Sequence, residues 1–340
     1  MQTIALINQK GGVGKTTTAA NLAAALAARG LRIGMIDLDP QSHLTMHFGI
    51  DPDGQRGGAY EVLTQDLPLG AAMVEVAPGL SIVPASLDLV GAEIELAAVV
   101  GREQLLRDRF EAEDLPFDYV LMDCPPSLSL LTLNALAAAD EVLIPLQPHF
   151  LALQGMGKLL ETVALVRRRI NPRLRVGGIV LCMYESNTRL ASEVTDDVAA
   201  FLAAQNDPAA PWAEAKLYAA RIRRNVKLAE CPSFGQSIFH YAPGCPGAQD
   251  YDALAEEFLA AHGATAQDAA APDTGAEAPQ ATDAAAHEAE PSGQDEPEAP
   301  ADDRPARFVV ADLPRALPAP EPLRDPPWAA PAEPQRDRAE

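Results

Sequence analysis

The sequence predicts an α/β protein with a mostly parallel, twisted sheet that carries helices on both faces. Short apolar segments alternate with longer segments rich in alanine and leucine, and two of the apolar segments end in aspartate. Near-continuous apolar strands that alternate with helices are typical of a parallel sheet buried on both faces. Ligands of such sheets bind beyond the carboxyl ends of the strands, so we expect the functional site there.

The individual elements follow from this alternation. We predict strands at residues 3–7, 32–37, 80–84, 118–123, 141–146 and 176–181. We predict helices at residues 16–29, about 102–113, 129–138, 155–170 and 190–204, with a last one from about 251 to 261. Each predicted helix lies between two strands or follows the last of them, which is the order that a parallel sheet requires.

Composition divides the chain of 340 residues into two parts. Residues 1–262 are predicted to form one folded domain. Residues 263–340 consist largely of Ala, Pro, Asp and Glu and contain 14 of the 30 prolines. Such a segment buries too little apolar surface to offset its ordering entropy, so we predict a disordered acidic tail. Each part carries half of the net charge of −22, so the folded part is less acidic than the total suggests.

Cysteine usage and hydropathy exclude several classes of protein. The four cysteines form no C-x-x-C pair, so reduced thiols are expected rather than a disulfide framework or a zinc site. No apolar run approaches the roughly 20 residues that span a bilayer. The chain enters its first strand almost at once, and we therefore expect no secretory signal and a cytoplasmic protein.

A glycine-rich loop between the first strand and the first helix indicates a nucleotide site. The loop consists of Lys10, Gly11, Gly12, Val13, Gly14, Lys15, Thr16 and Thr17. Its glycines let backbone N–H groups turn towards a phosphate, and the following helix N-terminus adds partial positive charge. Lys15 is expected to reach the β- and γ-phosphates, and the hydroxyl of Thr16 is expected to bind Mg²⁺.

Aspartates follow two of the predicted strands and are candidates for the metal side of this site. Asp37 and Asp123 each close a strand, and Asp39 lies two residues beyond the first of these strand ends. A carboxylate at a strand end beside a phosphate loop is suited to hold Mg²⁺, and Asp123 is the better candidate. Asp39 lies in a turn, where it could orient an attacking water or simply form the turn before Pro40.

These motifs together resemble the ParA/Soj-type partitioning ATPases, within the wider family of P-loop ATPases that includes MinD. The resemblance rests on segments 8–18, 37–41, 123–127, 134–136 and 224–230, and it covers about residues 1–260. The segments are ordered and far apart in the chain. The resemblance implies that the protein binds ATP with Mg²⁺ and hydrolyses the ATP to ADP and phosphate.

The resemblance also assigns roles around the nucleotide. Lys15 and Thr17 would bind phosphates of the subunit's own ATP, with Thr16 on Mg²⁺ and both Asp37 and Asp123 supporting the ion. Arg224 and Asn225 fall where the family recognises adenine. In this chain Arg223 stands where the family usually has a proline.

Two further roles concern the assembled ATPase. Lys10 resembles the family's signature lysine, which reaches the nucleotide of the partner subunit, so that two ATP molecules are enclosed in a homodimer. A lysine acting in trans would link dimerisation to the γ-phosphate. Asp39 resembles the acid that hydrolysis requires. Lys10, Lys15 and Asp39 are therefore the candidate catalytic residues.

Family members bind DNA without sequence preference as ATP dimers, and a basic surface is the expected means. The candidate DNA-binding residues are Arg189, Arg223, Arg224 and Lys227. Arg189 lies two residues after Asn187, which occupies the position of the family's usual DNA-contacting arginine. A second basic cluster comprises residues 167–169 with Arg173 and Arg175, and a solvated helix end accounts for it equally well.

The resemblance implies a nucleoid-associated ATPase that segregates a chromosome or plasmid with a ParB-like centromere-binding partner. Three alternatives remain open. The chain could position a protein cargo on a DNA track, it could be a MinD-like ATPase, or it could be a metabolic phosphate-loop enzyme. Membrane association is disfavoured because the C-terminal residues are rich in proline and acid, whereas a membrane-binding helix needs basic and bulky apolar faces.

Overall fold

The computed structural model describes residues 1–54, 57–150, 152–204 and 207–263. The predicted disordered tail lies outside the described residues from position 264 onwards. The boundary between residues 262 and 263 therefore stays a prediction.

The predicted sheet is confirmed, and it contains eight strands in the order β3-β4-β2-β5-β1-β6-β7-β8. The strands are β1 (Gln2–Leu6), β2 (Ile33–Asp37), β3 (Val74–Ala77), β4 (Leu80–Val83), β5 (Tyr119–Asp123), β6 (Glu141–Leu146), β7 (Arg175–Tyr184) and β8 (Lys216–Arg223). Every neighbouring pair is parallel except the edge pair of β3 and β4. The strand before the glycine loop, β1, is thus interior, with β5 on one side and β6 on the other.

Helices fill the connections between the strands. They are α1 (Lys15–Ala27), α2 (His43–His47), α3 (Ala59–Thr64), α4 (Leu69–Ala72), α5 (Leu89–Glu95), α6 (Leu105–Ala112), α7 (Leu130–Ala138), α8 (Ala152–Arg169), α9 (Arg189–Ala203), α10 (Val226–Glu230), α11 (Ile238–Tyr241) and α12 (Pro246–Ala261). Short 3₁₀ turns occupy Pro52–Gly54, Leu96–Ala98 and Cys231–Phe234. None of the helices in the described part of the chain combines the length and apolarity needed to cross a bilayer.

Two apolar layers cover the sheet, one on each face. Successive side chains of β1 alternate between the layers, since Ala5 enters one and Ile4 and Leu6 enter the other. The layer of Ile4 and Leu6 is completed by α1 and α12, and the opposite layer is completed mainly by the helices from α3 to α9. The sheet is therefore buried on both faces, as near-continuous apolar strands require.

The predicted strands are all present, with ends displaced by a few residues, but β3 and β8 were not predicted. Both are edge strands. Strand β8 buries only Tyr218 and Ile222 and exposes its basic residues Lys216, Arg221 and Arg223, so it lacks a continuous buried run. Helix α12 begins at Pro246 rather than near residue 251, with Cys245 as its N-cap and proline at its first position.

Candidate nucleotide-binding site

The glycine loop connects β1 to α1 in a conformation suited to anion binding. Gly12 and Gly14 have φ values of 71° and 96°, in the region that favours glycine. A Cβ atom on Gly11 or Gly12 would meet no atom within 4 Å, so this part of the loop borders open space. Gly14 is the N-cap of α1 and offers no side chain to its backbone N–H groups. Those groups are free to donate to a phosphate at the positive end of the helix.

Lys15 and Thr16 start α1, and β5 brings Asp123 to them. Thr16 Oγ1 donates to Asp123 Oδ2 at 2.6 Å. The other carboxylate oxygen, Asp123 Oδ1, is buried and has no hydrogen-bond partner among the described residues. An unpaired buried carboxylate oxygen beside a hydroxyl is the donor set that a hard cation such as Mg²⁺ accepts. Thr16 and Asp123 therefore offer oxygens that fit that ion.

Asp37 lies at the end of β2, in register with Asp123 on β5, and is also fully buried. Its Oδ1 accepts from the backbone N–H of Asp39 at 3.1 Å. Its Oδ2 accepts from the backbone N–H and the hydroxyl of Thr45 at 2.9 and 2.7 Å. Asp37 thus fixes the turn after β2 and the start of α2 while it lies beside Asp123.

Burial and the nearby charge of Asp37 raise the pKa of the Asp123 carboxyl, and burial likewise raises the pKa of Asp37. Two desolvated carboxylates at neighbouring strand ends repel each other. Thr16 and Lys15 oppose the rise at Asp123 through a hydrogen bond and a positive charge. The excess negative charge of the pair favours a bound divalent cation.

A cavity of about 600 Å³ opens in front of the loop. It is lined by Gly11, Gly12, Gly14, Lys15, Thr16, Thr17, Asp39, Gln41, His43, Met46, His47, Pro126, Met183, Pro232 and Ser233. The Asp39 carboxylate faces it, and Asp39 Oδ1 accepts from Gln41 N at 3.0 Å. Burial lowers the pKa of His47 to about 4, so this wall residue is neutral near pH 7. The wall's fixed positive charge therefore comes from Lys15.

Lys10 does not line this cavity. Its side chain is exposed, and its Nζ lies 3.3 Å from Gln147 Oε1. It borders a separate cavity of about 490 Å³, together with Asn8, Gln147 and Lys158. The two lysines at the ends of the loop thus face different spaces.

A third cavity, of about 400 Å³, adjoins the one in front of the loop and shares Gly14, Thr17 and Met183 with it. Arg224 and Asn225 line it, which places both predicted adenine residues next to the phosphate loop. Asn225 caps α10 by accepting from Lys227 N at 2.9 Å. Arg224 Nε lies 2.8 Å from Glu185 Oε1. The loop from Gly14 to Thr17 and the predicted adenine residues therefore line two adjoining cavities. Lys10 and Val13 border the separate cavity instead, and the strand-end residues Asp37 and Asp123 are fully buried and line none of the three.

Sequence reasoning missed two residues of this site. Thr45 donates a hydrogen bond to Asp37. Met183 lines both the cavity in front of the loop and the one beside Arg224, and its φ is 50°. A left-handed conformation is uncommon for a residue other than glycine and marks functional sites. A threonine eight residues after a strand-end aspartate matches no known motif, so the sequence does not single out Thr45. The left-handed backbone of Met183 cannot be read from its residue type.

The structure places the candidate DNA-binding residues around the carboxyl ends of β7 and β8. Each of them forms an ion pair with an acid of the described chain. Arg189 pairs with Glu193 at 2.8 Å, Arg223 with Asp250 at 2.6 Å, Arg224 with Glu185 at 2.8 Å and Lys227 with Glu230 at 2.8 Å. Arg223 is the most firmly held, because Asp250 also accepts from its backbone N–H. The side chain of Arg189 is 92% exposed, so its pair with Glu193 is open to solvent.

Comparison with known proteins agrees with this geometry. A family model described as an AAA domain matches residues 1–176. The chromosome partitioning protein ParA of Caulobacter vibrioides is 44% identical over 262 residues, which cover 76% of this chain and 94% of that protein. The chromosome-partitioning ATPase Soj of Thermus thermophilus is 46% identical over 257 residues, which cover 76% of this chain and 95% of its own.

A solved structure shares the fold. It is that of a cobyrinic acid a,c-diamide synthase from Mycobacterium smegmatis with a bound ATP analogue and magnesium. It is 37% identical to this chain with a TM-score of 0.60, over 72% of this chain and 96% of the other. The match extends beyond the glycine loop to almost the whole of each of these relatives. The chain therefore belongs to the ParA/Soj family of chromosome-partitioning P-loop ATPases.

Proposed function

We propose that the protein is an ATP-driven switch in which two subunits enclose two ATP molecules, bind DNA without sequence preference, and release it on hydrolysis. The observation that carries this proposal is that the two lysines of the glycine loop line different cavities. Lys15 lines the nucleotide cavity of its own subunit, whereas Lys10 projects from the same loop into a different space. An exposed lysine that borders a different cavity from its own subunit's phosphate loop is suited to serve the phosphates of a facing subunit.

Within one subunit, the loop N–H groups and Lys15 bind the phosphates, and Thr17 binds the α-phosphate. Thr16, Asp37 and Asp123 hold Mg²⁺, which neutralises phosphate charge when bound. Arg224 and Asn225 enclose the adenine. The buried Asp123 Oδ1 supports this assignment, because an unpaired carboxylate oxygen is costly without a cation.

Asp39 orients the attacking water. It lies in the turn that Asp37 fixes, and one of its oxygens is already held by Gln41 N. A carboxylate of fixed position at the cavity wall can accept a proton from water at the γ-phosphate. Loss of this residue should stop hydrolysis while leaving ATP binding and dimerisation in place.

In the cell, the ATP dimer would associate with the nucleoid, and a ParB-like partner would stimulate hydrolysis and release it. This cycle would segregate a chromosome or a plasmid. Arg189, Arg223, Arg224 and Lys227 would contact phosphates of the duplex. This region adjoins the nucleotide in the proposed arrangement, since Arg224 lines the cavity assigned to adenine.

DNA binding by nucleotide state tests the proposal. We would measure the affinity for random-sequence duplex DNA without nucleotide, with ADP and with ATP, at two salt concentrations. ATP alone should confer salt-sensitive binding, Lys10→Ala should abolish it, and Asp39→Ala should retain it. Lys216→Ala, which removes one exposed lysine at the opposite end of β8, serves as the charge-matched control. Hydrolysis of ATP with no DNA binding in any state would reject the partition function and favour a MinD-like or metabolic ATPase.

A further inference from the structure

The separate cavity that Lys10 borders is lined by positive and neutral groups. Among its described lining residues none is Asp or Glu, the cations are Lys10 and Lys158, and the amides are Asn8, Gln147 and Gln154. The cavity in front of the loop differs, because the Asp39 carboxylate lines it. A concave surface that holds two lysines and no acid attracts an anion.

Contacts of the glycine loop hold Lys10 at this cavity. Asn8 Nδ2 donates to the carbonyl of Pro145 at 2.8 Å, and Asn8 Oδ1 accepts from Lys10 N at 3.0 Å. These two bonds tie the start of the loop to the end of β6. Lys10 Nζ donates to Gln147 Oε1 at 3.3 Å, which is an exposed contact with a neutral group. No acid therefore balances the charge of Lys10 in the part of the chain that the structure describes.

Lys158 approaches the same cavity from α8. Its side chain is exposed, and it forms no ion pair with another described residue. Glu161 follows Lys158 at the spacing with which Glu230 follows Lys227, but only the second of these pairs forms an ion pair, at 2.8 Å. The charge of Lys158 therefore stays available to a ligand from outside the subunit, and its flexible four-carbon stem can follow that ligand.

The charge of Lys10 acts inside this cavity. His149 also lines it, and partial burial together with the charge of Lys10 lowers the pKa of His149 below its ordinary value. The imidazole is accordingly mostly neutral at pH 7. The positive charge that a ligand meets here comes from the two lysines.

The proposed dimer turns this cavity towards the second subunit. A closed homodimer has a two-fold axis, so the same surface of each subunit faces its copy. Since Lys10 reaches the facing ATP in that dimer, the cavity that Lys10 borders lies against the facing glycine loop, and Lys158 lies on the same side. Two triphosphates enclosed between subunits also repel each other, and each further lysine placed between them reduces that repulsion.

We propose that Lys158 is a second trans-acting lysine, which joins Lys10 in binding the triphosphate of the facing subunit's ATP. This role rests on the proposed ATP-enclosing dimer and extends its phosphate contacts from the glycine loop to α8. The cavity beside Lys10 is then a phosphate-binding surface that is used only when a second subunit with ATP faces it. ADP lacks the γ-phosphate and gives the two lysines less charge to bind.

The dissociation constant of the ATP dimer tests this role. It is measured by light scattering over a range of protein concentrations, with ATP and Mg²⁺, in the Asp39→Ala background. Lys158→Gln should raise the constant by roughly ten- to a hundredfold, the size expected when a hydrogen bond to a charged group is lost. Lys158→Arg should keep most of the affinity. Lys216→Gln, which removes one exposed lysine from β8, should leave the constant unchanged, and thermal unfolding confirms that each variant is folded.

Release of a fluorescent ATP analogue separates a phosphate contact from a contact with protein. It is measured in the same background, at protein concentrations where every variant is dimeric. Lys158→Gln should release the analogue several-fold faster than Lys216→Gln, because the enclosed triphosphate has lost a lysine. Unchanged release from a weakened dimer would overturn the role, since Lys158 would then contact protein of the facing subunit and not its nucleotide.

Lys10→Ala in the same background distinguishes this role from the proposed dimer itself. If Lys10→Ala abolishes the dimer and Lys158→Gln behaves like Lys216→Gln, the role of Lys158 is rejected and the proposed dimer stands. If Lys10→Ala leaves the dimer intact, the proposed trans contact fails, and the role of Lys158 fails with it.

Discussion

At the scale of single residues, the hydroxyl of Thr45 connects the metal side of the site to the neighbouring loop. It donates to Asp37 Oδ2 at 2.7 Å and accepts from the backbone N–H of Ala85 at 2.8 Å. Both contacts are buried, so neither partner can turn to water instead. One threonine thus orients the carboxylate at the end of β2 and anchors the chain after β4.

Replacing Thr45 by valine should therefore destabilise the protein more than its small change in volume suggests. Valine retains the shape but leaves Ala85 N–H buried without a partner, and it removes one donor to Asp37. We expect a loss of about 1–3 kcal/mol in the free energy of unfolding. Urea denaturation measures it.

Thr64→Val is the control for that experiment, because the Thr64 hydroxyl is only half-buried and donates to the carbonyl of Tyr60 one turn earlier in α3. Its effect should stay within about 0.5 kcal/mol. Equal losses in the two variants would show that the buried contacts of Thr45 add nothing beyond an ordinary helix hydroxyl.

At the scale of elements, a buried carboxylate joins the end of α12 to the amino end of the sheet. Glu141 on β6 accepts from Arg175 on β7 and lies 3.2 Å from Nε2 of His262 at the end of α12. Burial alone would raise the pKa of Glu141, but the hydrogen bonds and charges of His262 and Arg175 outweigh it, and the pKa is lowered. A Cβ on Gly177 would lie 1.6 Å from Glu141 Oε1, so glycine at this position makes room for the carboxylate.

This arrangement predicts a stability that depends on pH. A carboxyl with a lowered pKa stabilises the fold above its unfolded pKa, about 4.3 for glutamate, and loses that contribution as pH falls through its folded value. Glu141→Gln should thus destabilise the protein by about 1–3 kcal/mol at pH 7. The difference from the wild type should shrink as the pH is lowered through 4.

Urea unfolding at pH 7 and near pH 4 measures both effects. Asp252→Asn provides the comparison, since Asp252 pairs with Arg29 but its side chain is 60% exposed. That variant should differ little from the wild type at either pH. A Glu141→Gln deficit that is the same at both pH values would show that packing, rather than charge, holds α12 there.

The elements that the sequence predicts well are those whose local pattern has a single explanation. Strands such as β1 and β5 are mainly apolar because both faces are buried, and the loop before α1 has glycines where φ is positive. Strand β8 escapes prediction because only Tyr218 and Ile222 of its eight residues are buried, so it has neither a continuous apolar run nor a regular alternation. The contact between Glu141 and His262 also escapes prediction, because the two residues are 121 positions apart and only the fold brings them together.

At the scale of the whole molecule, the nucleotide site has an open side. Asp123 and Lys15 are buried. Lys10 lies at the other end of the same loop, is exposed, and borders a cavity of about 490 Å³. A triphosphate bound at the loop would bring more negative charge than Lys15 and one Mg²⁺ neutralise. A second subunit that supplies Lys10 would close this side and balance the charge, so dimerisation and ATP binding should be linked.

The linkage makes the molecular mass a direct readout of nucleotide state. Light scattering on the full chain should give about the monomer mass of 36.0 kDa without nucleotide and with ADP. With ATP and Mg²⁺, Asp39→Ala should give twice that mass, because in the proposed mechanism this variant binds ATP without hydrolysing it. Adding Lys10→Ala to Asp39→Ala should restore the monomer mass, whereas adding Lys216→Ala should leave the dimer intact. A dimer that persists without Lys10 would mean that the two nucleotides are not joined through this lysine, and the exposed end of the loop would then need another role.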